Sequence, residues 1–192
     1  LLPIYMGTIY KIDKEEINTK DFKKISPKIL NTNFKTDKVL DIFIHDKKLY
    51  ISAANEIEGC KKPEIFVAEL NSKKLNFEKF FSTKECGNII FGGRMQFYEH
   101  NNLAGIIFTT FGHEYHKPDN TPQANNSIYG KIIFVDFKNK TPIVFSKGHR
   151  VSQGLYAEKN LILQTEHGPK GGDEINKIEF QKNYGWPISS YG

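Results

Sequence analysis

The chain has 192 residues, 39% of them hydrophobic and 26% charged, enough apolar content for a buried core and too much for disorder or a collagen-like repeat. Lys and Arg outnumber Asp and Glu by 27 to 22, yet the lysines stand singly or in pairs among acids, as at Lys23 and Lys24, Lys47 and Lys48, and Lys61 and Lys62. Such a surface is solvated rather than shaped as a phosphate-binding stripe, and no run nears the roughly eighteen uncharged apolar residues of a membrane helix, so neither nucleic-acid binding nor a transmembrane segment is expected.

Fifteen Phe and nine Tyr beside only two Met favour strands, because flat and β-branched side chains pack well on a pleated face. The opening LLPIYMGTIYKID turns polar too early for a secretory apolar stretch, and GTIYKID within it reads as the third strand of a sheet. Residues 15–30 hold apolar side chains without a sustained 3.6 spacing and are read as irregular strand and loop. Next comes a hairpin, VLDIFIHDKKLYISAA (39–54), then strands IFVAEL (65–70) and LNFEKFF (75–81). The order repeats as RMQFYEHNNLAGIIFTT (94–110), KIIFVDF (131–137) and TPIVFS (141–146), and begins again as GLYAEKNLILQT (154–165) and NKIEF (176–180).

A leucine opens the second strand of each hairpin, Leu49, Leu103 and Leu161, at a near-constant interval of roughly 55 residues. Four antiparallel strands per such period form a sheet that cannot bury both faces alone and must stack on its neighbours, which is the pattern of a propeller blade. A β-sandwich would not require that spacing. The fold class is therefore read as all-β, a single partial propeller domain over 1–192 with two whole blades at about 39–81 and 92–147 and parts of two more. The missing initiator Met and the Gly- and Pro-punctuated end NYGWPISSYG lead to the expectation of an internal fragment.

In a propeller, ligand groups lie in the connections between strands, which here are IIFGGR (89–94), a long loop over 111–130, GHRVSQG (148–154) and 166–187. HGPKGG (167–172) is a backbone made for tight turns, whose carbonyl oxygens suit a hard cation, with Asp173 and Glu174 close behind. GHRVSQG carries Arg150 and Gln153, a pair suited to a planar carboxylate, although a loop arginine is more often a surface ion pair. The long loop holds His113, Glu114, His116 and Asp119, without the i, i+4 histidines of a helical zinc motif, and is read as facing a substrate. Cys60 and Cys86 permit one disulfide or two buried thiols, and no CxxC is present.

FGGR, GHRVSQGL, EHGPKGGDEIN and KNYGWP, in this order, resemble the soluble quinoprotein sugar dehydrogenases, the glucose/sorbosone dehydrogenase family of six-bladed propellers with four-stranded antiparallel blades, and most nearly their aldose dehydrogenase branch. The likeness is strongest over 90–192. It implies an oxidoreductase that oxidises an aldose sugar substrate to its lactone with pyrroloquinoline quinone (PQQ) and calcium, passes electrons to a quinone or other acceptor, and works in the periplasm or outside the cell.

Carried over residue by residue, the resemblance implies that Arg150 and Gln153 bind PQQ and that Gly168 and Pro169 offer backbone oxygens to the calcium beside it. Glu174 and Tyr184 match positions of a second, structural calcium, while Trp186 and Pro187 are read as packing. Two departures stand out. Val151 replaces the Asn that usually follows the arginine, and Ile90 replaces the histidine that serves as general base, a role no alkyl group can fill. His113 is left as the candidate catalytic base, and the alternative is a non-catalytic extracellular propeller that binds a sugar or a protein.

Overall fold

The computed structural model describes residues 2–4, 8–18, 21–30, 32–70, 74–87, 92–111 and 120–190. In chain order these form β1 (Leu2–Ile4), β2 (Thr8–Lys11), a single helical turn α1 (Lys14–Ile17), β3 (Lys28–Ile29), β4 (Lys38–His45), β5 (Lys48–Ile57), β6 (Cys60–Glu69) and β7 (Glu78–Ser82). There follow β8 (Met95–His100), β9 (Leu103–Thr109), β10 (Lys131–Asp136), β11 (Pro142–Lys147), β12 (Ser152–Glu158), β13 (Leu161–Glu166) and β14 (Glu174–Lys177). Four antiparallel sheets result, in the orders β1-β2-β3, β4-β5-β6-β7, β8-β9-β10-β11 and β12-β13-β14. The chain is all-β, and two of its sheets are four-stranded antiparallel blades of a propeller, while the described residues of the other two give three strands each. The region 15–30 differs from its reading as irregular strand and loop. It opens on the turn α1, where Glu15 and Glu16 favour the positive helix end, and adds a 3-10 turn at Phe22–Lys24. One turn needs no sustained periodicity.

Two-residue connections pin the hairpins: His45 pairs Lys48, Ile57 pairs Cys60 and His100 pairs Leu103. Asp46 and Lys47, like Asn101 and Asn102, take positive φ, the conformation whose twist matches the flanking strands. Because side chains alternate across a strand, β5 sends Leu49, Ile51 and Ala53 into one core with Ile9, Phe34 and Phe77, and Tyr50 into the next with Phe81, Met95, Ile106 and Phe108. Ile107, Ile132 and Phe134 point the other way again, into a third core with Phe145 and Ile162. All six residues of β10 are buried, as a strand covered on both faces requires. Each blade is thus held by its neighbours, and β4, β8 and β12 lie innermost, contacting one another between sheets. Cys60 and Cys86 are joined in a disulfide, which settles the choice between bridge and free thiols. Among the described residues no helix is long and apolar enough to cross a membrane.

Candidate functional site

The arginine loop leaves β11 through Gly148, whose φ is +77° and whose Cβ, were there one, would stand 2.3 Å from Asn183 Oδ1. Only glycine fits such a place. Backbone bonds then fasten the loop on two sides: His149 N–H donates to Gly130 O at 3.1 Å, and Trp186 N–H donates to Gly148 O at 3.0 Å. His149 is completely buried, its ring stacked on that of Tyr184 at 4.8 Å. Its Nε2 lies 2.8 Å from Ser146 Oγ and its Nδ1 3.1 Å from Glu166 Oε2, so Nδ1 is the donor toward the carboxylate.

Glu166, at the end of β13, is the hub of this arrangement. It also accepts the backbone N–H of Arg150 and, at 3.0 Å, Nε2 of Gln164, which in turn donates to Ser152 Oγ at 2.7 Å. Burial alone would push the Glu166 carboxyl upward, but the donors from His149, Arg150 and Gln164 outweigh it and hold the group below its ordinary value. A carboxylate with that many donors fixes the backbone at both ends of the loop. Val151, where the resemblance leads one to look for Asn, is buried and accepts the N–H of His167 at 3.0 Å, which ties the loop to the next segment.

That segment is the HGP turn. Asp173 closes it, Oδ1 accepting the Gly168 N–H and Oδ2 facing His167 Nδ1, each at 3.0 Å; the His167 contact, then the Gly168 N–H, hold the Asp173 carboxyl below its usual range. The turn is so tight that a Cβ on Gly168 would lie 1.9 Å from the carbonyl oxygen of Gly171. Across from it, Nη1 of Arg150 donates to the carbonyls of His167 and Gly168, both at 3.0 Å, and the guanidinium sits 5.2 Å over the ring of Trp186. Arg150, Gly168, Pro169, Glu174 and Tyr184 line one cavity together with Trp186.

Trp186, read from sequence as packing alone, is therefore part of the site. Glu174 accepts from Asn176 Nδ2 at 3.1 Å, while the Tyr184 hydroxyl donates to Lys177 O at 2.6 Å and accepts the Glu179 N–H at 2.9 Å. Gln153 occupies the bulge between Ser152 and Gly154, where its backbone carbonyl accepts Nε of Arg94 at 2.8 Å. Arg94 reaches from the start of β8 to Leu40 O at 3.3 Å as well, so one guanidinium spans three innermost strands. His113 and Ile90 lie outside the described residues, as do Glu114, His116 and Asp119. Sequence reasoning passed over His149, Glu166 and Arg94; the one local signal was that His149 and Arg94 sit inside the glycine-bounded loops already singled out.

The residues present fit the groups that the resemblance implies. An arginine over an aromatic face suits a planar anion. The carbonyls of Gly168 and Pro169 are oxygen donors of the kind calcium takes, and Glu174 and Tyr184 bring a carboxylate and a hydroxyl to the same cavity. Among the described residues no three His, Cys, Asp or Glu gather as a metal cluster, so any cation here would rest on those carbonyls.

Residues 36–192 match the model of the glucose/sorbosone dehydrogenase family. The chain belongs to that family. Among curated relatives, the aldose sugar dehydrogenase YliI of Escherichia coli is 32% identical over 117 residues, 53% of this chain and 30% of that protein. An uncharacterized protein of Synechocystis is 50% identical over 86 residues, 36% of this chain and 21% of its own. Quinoprotein glucose dehydrogenase B of Acinetobacter calcoaceticus is 47% identical over 45 residues, 23% of this chain and 9% of its own. The fold is similar to that of the PQQ-bound aldose sugar dehydrogenase from Streptomyces coelicolor, with a TM-score of 0.66 and 20% identity, covering 95% of this chain and 57% of that one. This chain thus matches less than a third of the length of each curated relative.

Proposed function

We propose that this chain forms part of a quinoprotein oxidoreductase that oxidises an aldose sugar to its lactone with PQQ and calcium and passes the electrons to a quinone or another acceptor. The observation that carries the reading is the convergence of Arg150 and the HGP turn, with Nη1 at 3.0 Å from the Gly168 carbonyl. PQQ with calcium, when bound, supplies a two-electron acceptor for the hydride that leaves the anomeric carbon.

The chain's own residues do the rest. Arg150 offers a fixed positive charge to a carboxylate, and Trp186 holds the guanidinium plane. Gly168 and Pro169 present carbonyls, and Glu166 keeps the arginine loop registered against them. Lactone formation also releases the proton of the anomeric hydroxyl, which we assign to His113 because Ile90 has no basic atom. A periplasmic or secreted location agrees with the Cys60–Cys86 disulfide.

Ile90 favours a second reading, a non-catalytic extracellular propeller that binds a sugar or a protein. Dye reduction by the whole protein supplied with PQQ, calcium and a panel of aldoses separates the two. Turnover that His113→Ala lowers by roughly 10²-fold or more supports the enzyme, whereas saturable PQQ uptake without turnover, or no uptake at all, removes it.

A further inference from the structure

The strand ends opposite the arginine loop carry a second cavity, of about 450 Å³, between the blade β4–β7 and the blade β8–β11. Its wall is aromatic: Tyr50, Phe80 and Phe137 pack on one another with ring centroids 5.6 to 5.9 Å apart. Its rim carries the carboxylates of Asp46, Glu69 and Glu78 and the ammonium groups of Lys48 and Lys140, with Lys48 3.6 Å from Glu69.

Tyr50 is the telling residue. The residue as a whole is only 4% exposed, and it lines the cavity, onto which its hydroxyl opens. Burial, then the charges of Glu69 and Asp46 on the same cavity, push its phenol up to about 12, which keeps it a neutral O–H donor. A phenol hydroxyl that opens on a cavity can both donate to and accept from a molecule bound there.

The chemistry narrows the occupant. An anion would meet three carboxylates against two ammonium groups, and a bare organic cation would have to compete with Lys140, whose Nζ stands 5.8 Å from the Phe80 centroid. A neutral molecule with adjacent hydroxyls can donate to the acids, accept from Tyr50 and the lysines, and lay an apolar C–H face on the aromatic wall. The volume lies in the range of small-ligand sites. We propose that this cavity binds a neutral polyhydroxylated ligand, a sugar ring, at the mouth of the propeller opposite Arg150.

The test is calorimetric titration of the full chain with methyl β-D-glucopyranoside and with maltotriose. The methyl glycoside has its anomeric oxygen capped and cannot be oxidised to a lactone, so its binding is read without turnover, and the Tyr50 and Arg150 variants separate this cavity from the proposed dehydrogenase site. Saturable binding of at least one probe is expected, weakened roughly fivefold in Tyr50→Phe, which keeps the ring and loses one hydrogen bond. Arg150→Ala should leave that binding unchanged, whatever it does to PQQ uptake. Wild-type affinity in Tyr50→Phe, loss of binding in Arg150→Ala, no saturable binding of either probe, or tighter binding of tetramethylammonium or citrate than of both sugars would each overturn the proposal.

Discussion

Nη1 of Arg150 stands 3.0 Å from the carbonyl oxygen of Gly168, a residue 18 positions further along the chain, so the arginine loop and the HGP turn meet at the mouth of the propeller. The guanidinium's fork and its seat over Trp186 define that contact. Arg150→Lys retains the charge but loses the planar fork, and should weaken PQQ binding roughly tenfold. Trp186→Ala removes a cation–π contact worth about 0.5–1 kcal/mol and should cost a few-fold. Absorbance titration with PQQ in the presence of calcium measures both, and unchanged affinity in Arg150→Lys would count against the assignment.

Gly168→Ala places a methyl group 1.9 Å from the Gly171 carbonyl oxygen and 2.8 Å from that of Gly172, both backbone atoms that cannot swing aside. The turn must open, and overpacking of this kind costs about 1–3 kcal/mol. PQQ affinity should fall about tenfold or more with a lower melting temperature, whereas Gly171→Ala, whose Cβ would meet nothing within 4 Å, should suffer only from its positive φ. Equal effects from the two variants would contradict the close approach at Gly168.

Acid stability should depend on Glu64. Its carboxylate is buried beside β7, where it takes Lys79 Nζ at 2.6 Å, Asn55 Nδ2 at 2.7 Å and Ser82 Oγ at 2.9 Å. Burial is the largest single influence and acts upward, but the three partners together bring the group below its ordinary value of 4.5. A carboxyl depressed in the folded state stabilises the fold fully above its unfolded value, and that contribution disappears as pH falls from there through the folded value. Urea midpoints taken from pH 7 down to pH 3 should decline less in Glu64→Gln than in the wild type; parallel curves would exclude Glu64 as a contributor.

The Cys60–Cys86 bridge closes a loop with a sequence separation of 26 residues. Constraining such a loop in the unfolded chain is worth about 3 kcal/mol. Reduction should therefore lower the urea midpoint without changing the far-ultraviolet spectrum of the native state, and Cys60→Ala with Cys86→Ala should match the reduced protein. Insensitivity to reductant would show that the bridge is absent in solution.

The Tyr50 cavity was not legible in the sequence. YISAA reads as an alternating strand, and alternation places Tyr50 on a buried face; it does not reveal that the hydroxyl emerges beside Asp46, Glu69 and Phe137, because Phe137 belongs to another blade. The same limit applies to Gln153. Arg150 reaches the HGP turn, and the bulge at Ser152 turns the backbone carbonyl of Gln153 to Arg94, a contact between blades that no local pattern shows. His149 and Glu166 were missed because a buried hydrogen bond between distant side chains is visible only when both ends of it are placed.

What the sequence alone determined was local: the period of the hairpins and the glycine-dependent shapes of GHR and HGP, which follow from alternation and φ preferences within a few neighbouring residues. What only the tertiary structure decided was which groups meet across blades: Arg150 on Trp186, Arg94 spanning three inner strands, His149 beneath Glu166 and Cys60 on Cys86. These pairings depend on how neighbouring sheets stack, and stacking is driven by apolar area that carries no direction of its own, so the polar partners become defined once the packed cores have set the blades against one another.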